Sequence, residues 1–380
     1  MSNDRRPAEV FHPGEHLSDE LNARGWTQTE FAEIIRRPVR LVNEIINGKR
    51  GVTPETAREL GAALGTSAEF WMNLETAYQL WKIDEDVSPI EHRARMRKKY
   101  PVRDMVLRGW LLPSEDSRIV ESQLLRFFEV KSLNEQPKLA AFAVAKRSDV
   151  ESEELSPVQV AWLYRVKHIA RSMQVSRYSK KSLESALSQL MVYREASEEI
   201  RHIPKLLEEC GVRFVIVEAL PSSKIDGVAF WLDQKSPVIG LSLRFDRIDN
   251  FWFVLRHEIE HILNGDGMGS INIDSDLYAE SMDGEKLPKE EIAANLAAAE
   301  FCTPQKELKD FISRVKPLFS RKRVLAFAKK YKLHPGLVVG QLQRHIRRYD
   351  IFRPMLVPIR NIITPIAMTD GYGHVLPVEI

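Results

Sequence analysis

Two histidines one helical turn apart, His257 and His261, with Glu258 beside the first, constrain this chain more than any other feature. For them to act together, residues Asn250 to Leu263 must form a helix, because about 3.6 residues per turn brings i and i+4 onto one side. The apolar residues agree: Phe251, Leu255, Ile259 and Ile262 fall on one helical face. On a neighbouring face the two imidazoles aim at a common point, where a metal at about 2.0–2.1 Å from each nitrogen fits. Glu258 is placed to take a proton from water at that metal rather than to ligate it. Asn264-Gly265 stops the helix just past the site.

A catalytic zinc site needs a third protein ligand. The best source is the next helix, opened by Pro288 and running through Glu290, Glu291, Ile292, Ala293, Ala294 and Asn295. Glu291 and Asn295 are again i,i+4, so the spacing predicts a carboxylate ligand at Glu291. Asn295, one turn on, is expected to orient a liganding histidine. Glu290 and Glu300 stay open as alternative ligands. The small run Ala297-Ala298-Ala299 is expected to let this helix pack closely on the first.

Before these helices the period changes to that of strands. Val212 to Val217, Gly227 to Leu232 and Pro237 to Leu243 are the three β-rich runs. Helical pattern then returns to about Tyr349, followed by a proline-punctuated tail. Helices flanking a small sheet make this half α+β.

Residues 17–81 read differently, as five short helices with tight connections. Thr27 caps the second; Pro38 suits the first turn of a third, over Val39 to Ile46, which Asn47-Gly48 ends. Thr53-Pro54-Glu55 starts the fourth, and Thr66 or Ser67 caps the fifth. Between the halves, Asp84-Glu85-Asp86 and Ser88-Pro89 look like a hinge, and a basic stretch over 93–103 fits a solvated helix face.

Composition excludes several classes. At 44% hydrophobic and 28% charged the chain is ordinary globular protein, long enough at 380 residues for two or three domains. Two isolated cysteines, Cys210 and Cys302, offer neither a disulfide framework nor a CxxC cage, which fits a reducing cytoplasm. With no signal-peptide core at Met1 to His16 and no apolar run of about 18 residues, no membrane partner is expected.

The second half resembles the ImmA/IrrE family of metallopeptidases over roughly residues 150–345. The likeness rests on Phe251-Trp252-Phe253-Val254-Leu255-Arg256-His257-Glu258-Ile259-Glu260-His261, on Glu291-Ile292-Ala293-Ala294-Asn295, and on Ala298 to Pro304. It implies a zincin-like fold, Zn2+ held by His257, His261 and Glu291, Glu258 as general base, and a helix-turn-helix repressor as substrate. Two departures, Glu260 before the second histidine and Cys302-Thr303 before Pro304, remove no ligand but alter the surroundings where substrate would fit.

Residues 8–82 resemble XRE-type helix-turn-helix regulators, most closely HigA-like antitoxins, through Asn43 to Thr53 and Ala68-Glu69-Phe70-Trp71. The resemblance implies an operator in double-stranded DNA, a toxin or repressor protein as partner, and a homodimer reading paired half-sites. The helix after Pro38 would enter the major groove, with Val39, Arg40 and Asn43 at base edges and Gln28, Lys49 and Arg50 on phosphates. Charge is mixed: residues 1–82 hold ten Lys/Arg and twelve Asp/Glu, yet Arg36, Arg37, Arg40, Lys49 and Arg50 gather at the reading head.

The expected organisation is multidomain. An all-α helix-turn-helix domain (1–83) and a helical linker region (84–150) precede an α+β zincin-like metallopeptidase domain (151–350) and a C-terminal tail (351–380). Two functions compete. One is a regulator that cleaves another regulatory protein or its own linker. The other is an antitoxin and autorepressor whose zinc domain is structural or sensory.

Overall fold

A computed structural model describes residues 10–83, 88–137, 155–266, 273–275 and 288–377. The expected hinge at Asp84-Glu85-Asp86 lies outside these residues. The chain divides into two compact units, Met1–Pro89 and Ile90–Ile380.

The first unit is all-helical: α1 (Pro13–Arg24), α2 (Gln28–Ile34), α3 (Val39–Ile46), α4 (Pro54–Leu64) and α5 (Ala68–Lys82). Its helix starts follow from local chemistry. Thr27 and Glu30 form a reciprocal capping box on α2, Thr53 caps α4 with Pro54 at its first position, and Ser67 rather than Thr66 caps α5. Thr66 is occupied otherwise, its hydroxyl accepting from the Trp71 indole at 2.8 Å. Leu17, Leu21, Phe31, Val42, Ile45, Leu60 and Trp71 make the core. Each full burial of such a side chain contributes about 1.5–3 kcal/mol, enough to fix α3 on its neighbours despite its eight residues. The tight approach of α1 to α3 needs Gly14, where a Cβ would overlap the Ile45 carbonyl.

In the second unit, α6 (Ser88–Lys99), α7 (Val102–Leu107) and α8 (Ser117–Phe127) lead to α9 (Pro157–Ser172), α10 (Lys180–Tyr193) and α11 (Ile203–Glu209). Strands β1 (Arg213–Val217), β2 (Ile225–Trp231) and β3 (Pro237–Leu241) follow, then α12 (Ile248–Asn264), β4 (Ile273–Ser275), α13 (Lys289–Cys302), α14 (Gln305–Val315), α15 (Arg321–Lys330), α16 (Pro335–Ile346), α17 (Arg360–Ile363) and β5 (Met368–Asp370). The sheet order is β4-β2-β3-β1-β5, with β1 parallel to both β3 and β5 and β2 antiparallel to β3 and β4. The three β-rich sequence runs are thus its central strands. The tail contributes β5, a strand too short for sequence periodicity to reveal.

Two cores cover the two faces of the sheet. One joins Phe214, Ile216, Ile239 and Leu241 to α12, α13 and α16. The other joins Val215, Val217, Val228 and Val238 to α9 and to Met96, Tyr100, Trp110 and Phe128 of the 90–133 segment. That segment therefore packs its apolar side chains into the second unit rather than standing apart from it. A buried polar knot holds the same layer. The Asp370 carboxylate accepts from the Trp110 indole at 2.8 Å and pairs with Arg165, both charged side chains being almost wholly buried. No helix among the described residues is long and apolar enough to cross a membrane.

Candidate metal centre and nucleic-acid interface

Helix α12 is buried nearly all round: of its residues only Arg256, Glu260 and Asn264 escape full burial. Its expected apolar face, Phe251, Leu255, Ile259 and Ile262, lies in the core. Gly265 in the left-handed region (φ 75°) ends it, as the Asn-Gly signal predicts. Helix α13 packs against it through Glu291, Ala294 and Ala298, while Ile292 and Leu296 face outward. The small residues that permit close approach are thus Ala294 and Ala298, one turn apart, with Ala297 and Ala299 only partly buried.

At this contact three groups converge. His257 Nε2 lies 3.0 Å from His261 Nε2 and 3.3 Å from Glu291 Oε2, and His261 Nε2 lies 3.5 Å from Glu291 Oε1. His257 is fully buried, His261 and Glu291 nearly so. Four-coordinate zinc with bonds of about 2.0–2.1 Å separates neighbouring ligand atoms by about 3.3–3.4 Å. The observed edges of 3.0–3.5 Å match that separation, and two imidazoles with one carboxylate are the donor set of a catalytic zinc. The residues fit the ion. Burial opposes ionisation of Glu291, but hydrogen bonds with His257 and His261 outweigh it and hold the carboxyl far below the usual range.

Glu258 is wholly buried and approaches β2. A Cβ on Gly227 would overlap Glu258 Oε1 and lie 2.8 Å from Val254 Cγ1, so the absent side chain at 227 makes room for the carboxylate. Asn295 sits one turn past Glu291, half-buried, its Oδ1 without a hydrogen-bond partner among the described residues. Glu290 is exposed, and Glu300 instead accepts from the Gln305 amide.

Sequence reasoning missed Asp266. Its carboxylate meets His261 Nδ1 at 3.0 Å, its N–H donates to the His261 carbonyl, and its own carbonyl accepts from the Trp231 indole at 2.9 Å. An acid five residues beyond a candidate ligand, just after the stop glycine, was the available signal. Two other histidines are committed elsewhere: His334 caps α16 by accepting from Gly336 N–H, and His345 bonds the Gln341 carbonyl.

In the first unit, α2 and α3 bring most of the expected DNA-contacting residues to one surface. Val39 and the Arg40 side chain are exposed, and Asn43 Nδ2 donates to Gln28 Oε1 at 3.1 Å. Glu44, not foreseen, pairs with Arg40 at 2.7 Å and Arg50 at 3.2 Å. Those hydrogen bonds, Arg40's first, lower the Glu44 pKa. Lys49 is exposed after α3, and Arg37 is engaged by Glu55 and Glu59.

The helix-turn-helix family matches residues 17–71, and the IrrE N-terminal-like domain family matches residues 208–333. Among curated proteins, Virulence-associated protein I of Dichelobacter nodosus is 35% identical over 21% of this chain and 76% of its own length. The HTH-type transcriptional regulator YddM of Escherichia coli K12 is 30% identical over 23% and 86%. Antitoxin HigA-1 of Vibrio cholerae is 42% identical over 20% and 70%.

Proposed function

The chain belongs to the helix-turn-helix regulators through its first unit and to the IrrE N-terminal-like family through its second, and from that premise we propose that it is an operator-binding transcriptional regulator whose second unit holds zinc and hydrolyses a peptide bond. The observation that carries the enzymatic part is the buried convergence of His257, His261 and Glu291 beside Glu258. The substrate would be a regulatory protein or the chain's own linker.

His257, His261 and Glu291 would hold the ion. Bound there, zinc would polarise a peptide carbonyl and make water a nucleophile near neutral pH. Glu258 would accept the proton that the attacking water loses and return it to the leaving amine. Phe253 and Val254 are buried on α12, and apolar groups so placed would limit competing water. Asn295 would steady the ligand cluster from α13.

In the first unit, α3 would lie in the major groove with Val39, Arg40 and Asn43 toward base edges, and Gln28, Lys49 and Arg50 toward phosphates. A homodimer would match two half-sites. Incubating the zinc-loaded protein with candidate regulators, and alone, tests the peptidase reading. A product that appears with wild type and is lost with Glu258→Gln supports it; no cleavage by a protein with one zinc per chain sinks it.

The likeness to Antitoxin HigA-1 favours a second reading, an antitoxin and autorepressor with a toxin partner and a zinc domain that senses or stabilises. Operator binding that Glu258→Gln leaves unchanged, together with co-purification of a toxin encoded beside this chain, would favour it.

A further inference from the structure

A metal ligand holds its ion well only if the rest of its ring is held too. His261 turns Nε2 toward His257 and Glu291, which leaves its ring proton on Nδ1. That nitrogen faces Asp266 Oδ2 at 3.0 Å. We infer that Asp266 is the positioning residue for His261, fixing the ring's tautomer and rotation so that Nε2 is presented to the cation. The inference rests on the zinc reading above and goes beyond it, because it adds a residue outside both helical motifs.

Two further contacts show that Asp266 is itself held. Its N–H donates to the His261 carbonyl at 2.9 Å, at the C-terminal end of α12, a carbonyl that the Gly265 N–H also meets. Its carbonyl accepts from Trp231 Nε1 at 2.9 Å. Trp231 ends β2, is buried, and meets the Tyr178 ring edge to face, centroids 5.2 Å apart. The path runs from the strand end through Trp231 and Asp266 to the Nδ1 side of the His261 ring. The left-handed Gly265 makes the turn that folds Asp266 back beneath His261. A carboxylate so placed also makes the imidazole a stronger donor, since negative charge at Nδ1–H raises electron density at Nε2.

The test uses the full-length protein, with zinc affinity read by competition against a chromogenic chelator and cobalt(II) as a spectroscopic stand-in. Wild type should bind one zinc and His257→Ala none; if wild type binds none, the zinc reading itself fails, which is distinguishable from failure of the inference. Asp266→Ala should weaken zinc binding about 10–100-fold and shift the cobalt absorption bands, with Asp266→Asn intermediate because an amide oxygen still accepts from Nδ1–H. Trp231→Phe should give a smaller loss, about two- to tenfold, by freeing the Asp266 carbonyl. Circular dichroism of the metal-free proteins checks folding, and the near-isosteric Asp266→Asn carries the test if the alanine variant misfolds. Zinc affinity within twofold of wild type in a folded Asp266 variant, with an unchanged cobalt spectrum, would overturn the inference.

Discussion

Asn43 on the exposed face of α3 donates its side-chain amide to Gln28 Oε1, at the first position of α2, across 3.1 Å. Each side chain thereby limits the other's rotamers, so in the proposed complex the two amides would meet DNA as one pre-set unit rather than as two flexible groups. Asn43→Ala should weaken operator binding by about 1–3 kcal/mol, the usual value of a good base contact. Gln28→Ala should lose part of the same energy, and the double variant should cost less than the sum. Fluorescence anisotropy at one fixed salt concentration gives all three values. Additivity within about 0.3–0.5 kcal/mol would show that the pair acts independently.

Glu44 sits between Arg40 and Arg50 and draws both toward itself. If the α3 surface faces DNA as proposed, an acid there would weaken indiscriminate phosphate attraction and leave binding more dependent on base contacts. Glu44→Gln should therefore tighten binding to random duplex more than to operator. It should also steepen the salt dependence by about one unit of slope as an extra cation meets phosphate. Equal gains on both DNAs, measured over a salt series, would argue against this role.

Gly227 is required by closeness rather than by its backbone angle. A methyl group there meets the Glu258 carboxylate and Val254, both packed in the interior. Gly227→Ala should destabilise the second unit by about 1–3 kcal/mol through overpacking. It should also displace Glu258 from the candidate metal cluster while leaving His257, His261 and Glu291 in place. The expected signature is a lowered thermal midpoint, one zinc per chain and lost cleavage. Retained cleavage at full zinc occupancy would show that the carboxylate tolerates the shift.

The contrast between Glu291 and Asp266 shows what the sequence makes legible. Helical spacing puts His257 and His261 on one side of one helix and Glu291 with Asn295 on one side of the next, because regular secondary structure converts an i,i+4 pattern directly into geometry. It leaves Glu290 and Glu300 open, and the packing of α13 on α12 is what brings Glu291 to the histidines. Helix starts at Thr27 and Thr53 were equally readable, since a cap acts within one turn. Asp266 was not readable: its role depends on a turn past a stop glycine and on an indole 35 residues upstream. Gly227 and strand β5 share that difficulty. Each acquires its meaning from a partner brought close only by tertiary packing, such as β1 pairing with β5 across more than 150 residues.

The last expectation concerns acid. His168 on α9 is mostly buried beside the Phe127 ring, centroids 4.9 Å apart, and burial pushes its pKa down to about 4 against the pull of Glu129 at 3.6 Å. Lys167, Arg171 and Arg165 push in the same direction as burial. The folded state therefore keeps this imidazole neutral over a range where the unfolded chain, with an ordinary value near 6.5, takes up a proton. Between those two values the unfolded state binds more protons, so stability rises with pH. The contribution is fully present above about pH 6.5 and is lost as pH falls toward 4, amounting to about 3 kcal/mol at most. His168→Gln should remove this component. Urea unfolding followed at several pH values would show the wild-type minus variant stability falling across that window. A difference that stays flat from pH 7 to pH 4 would mean that the imidazole charges without penalty in the folded protein.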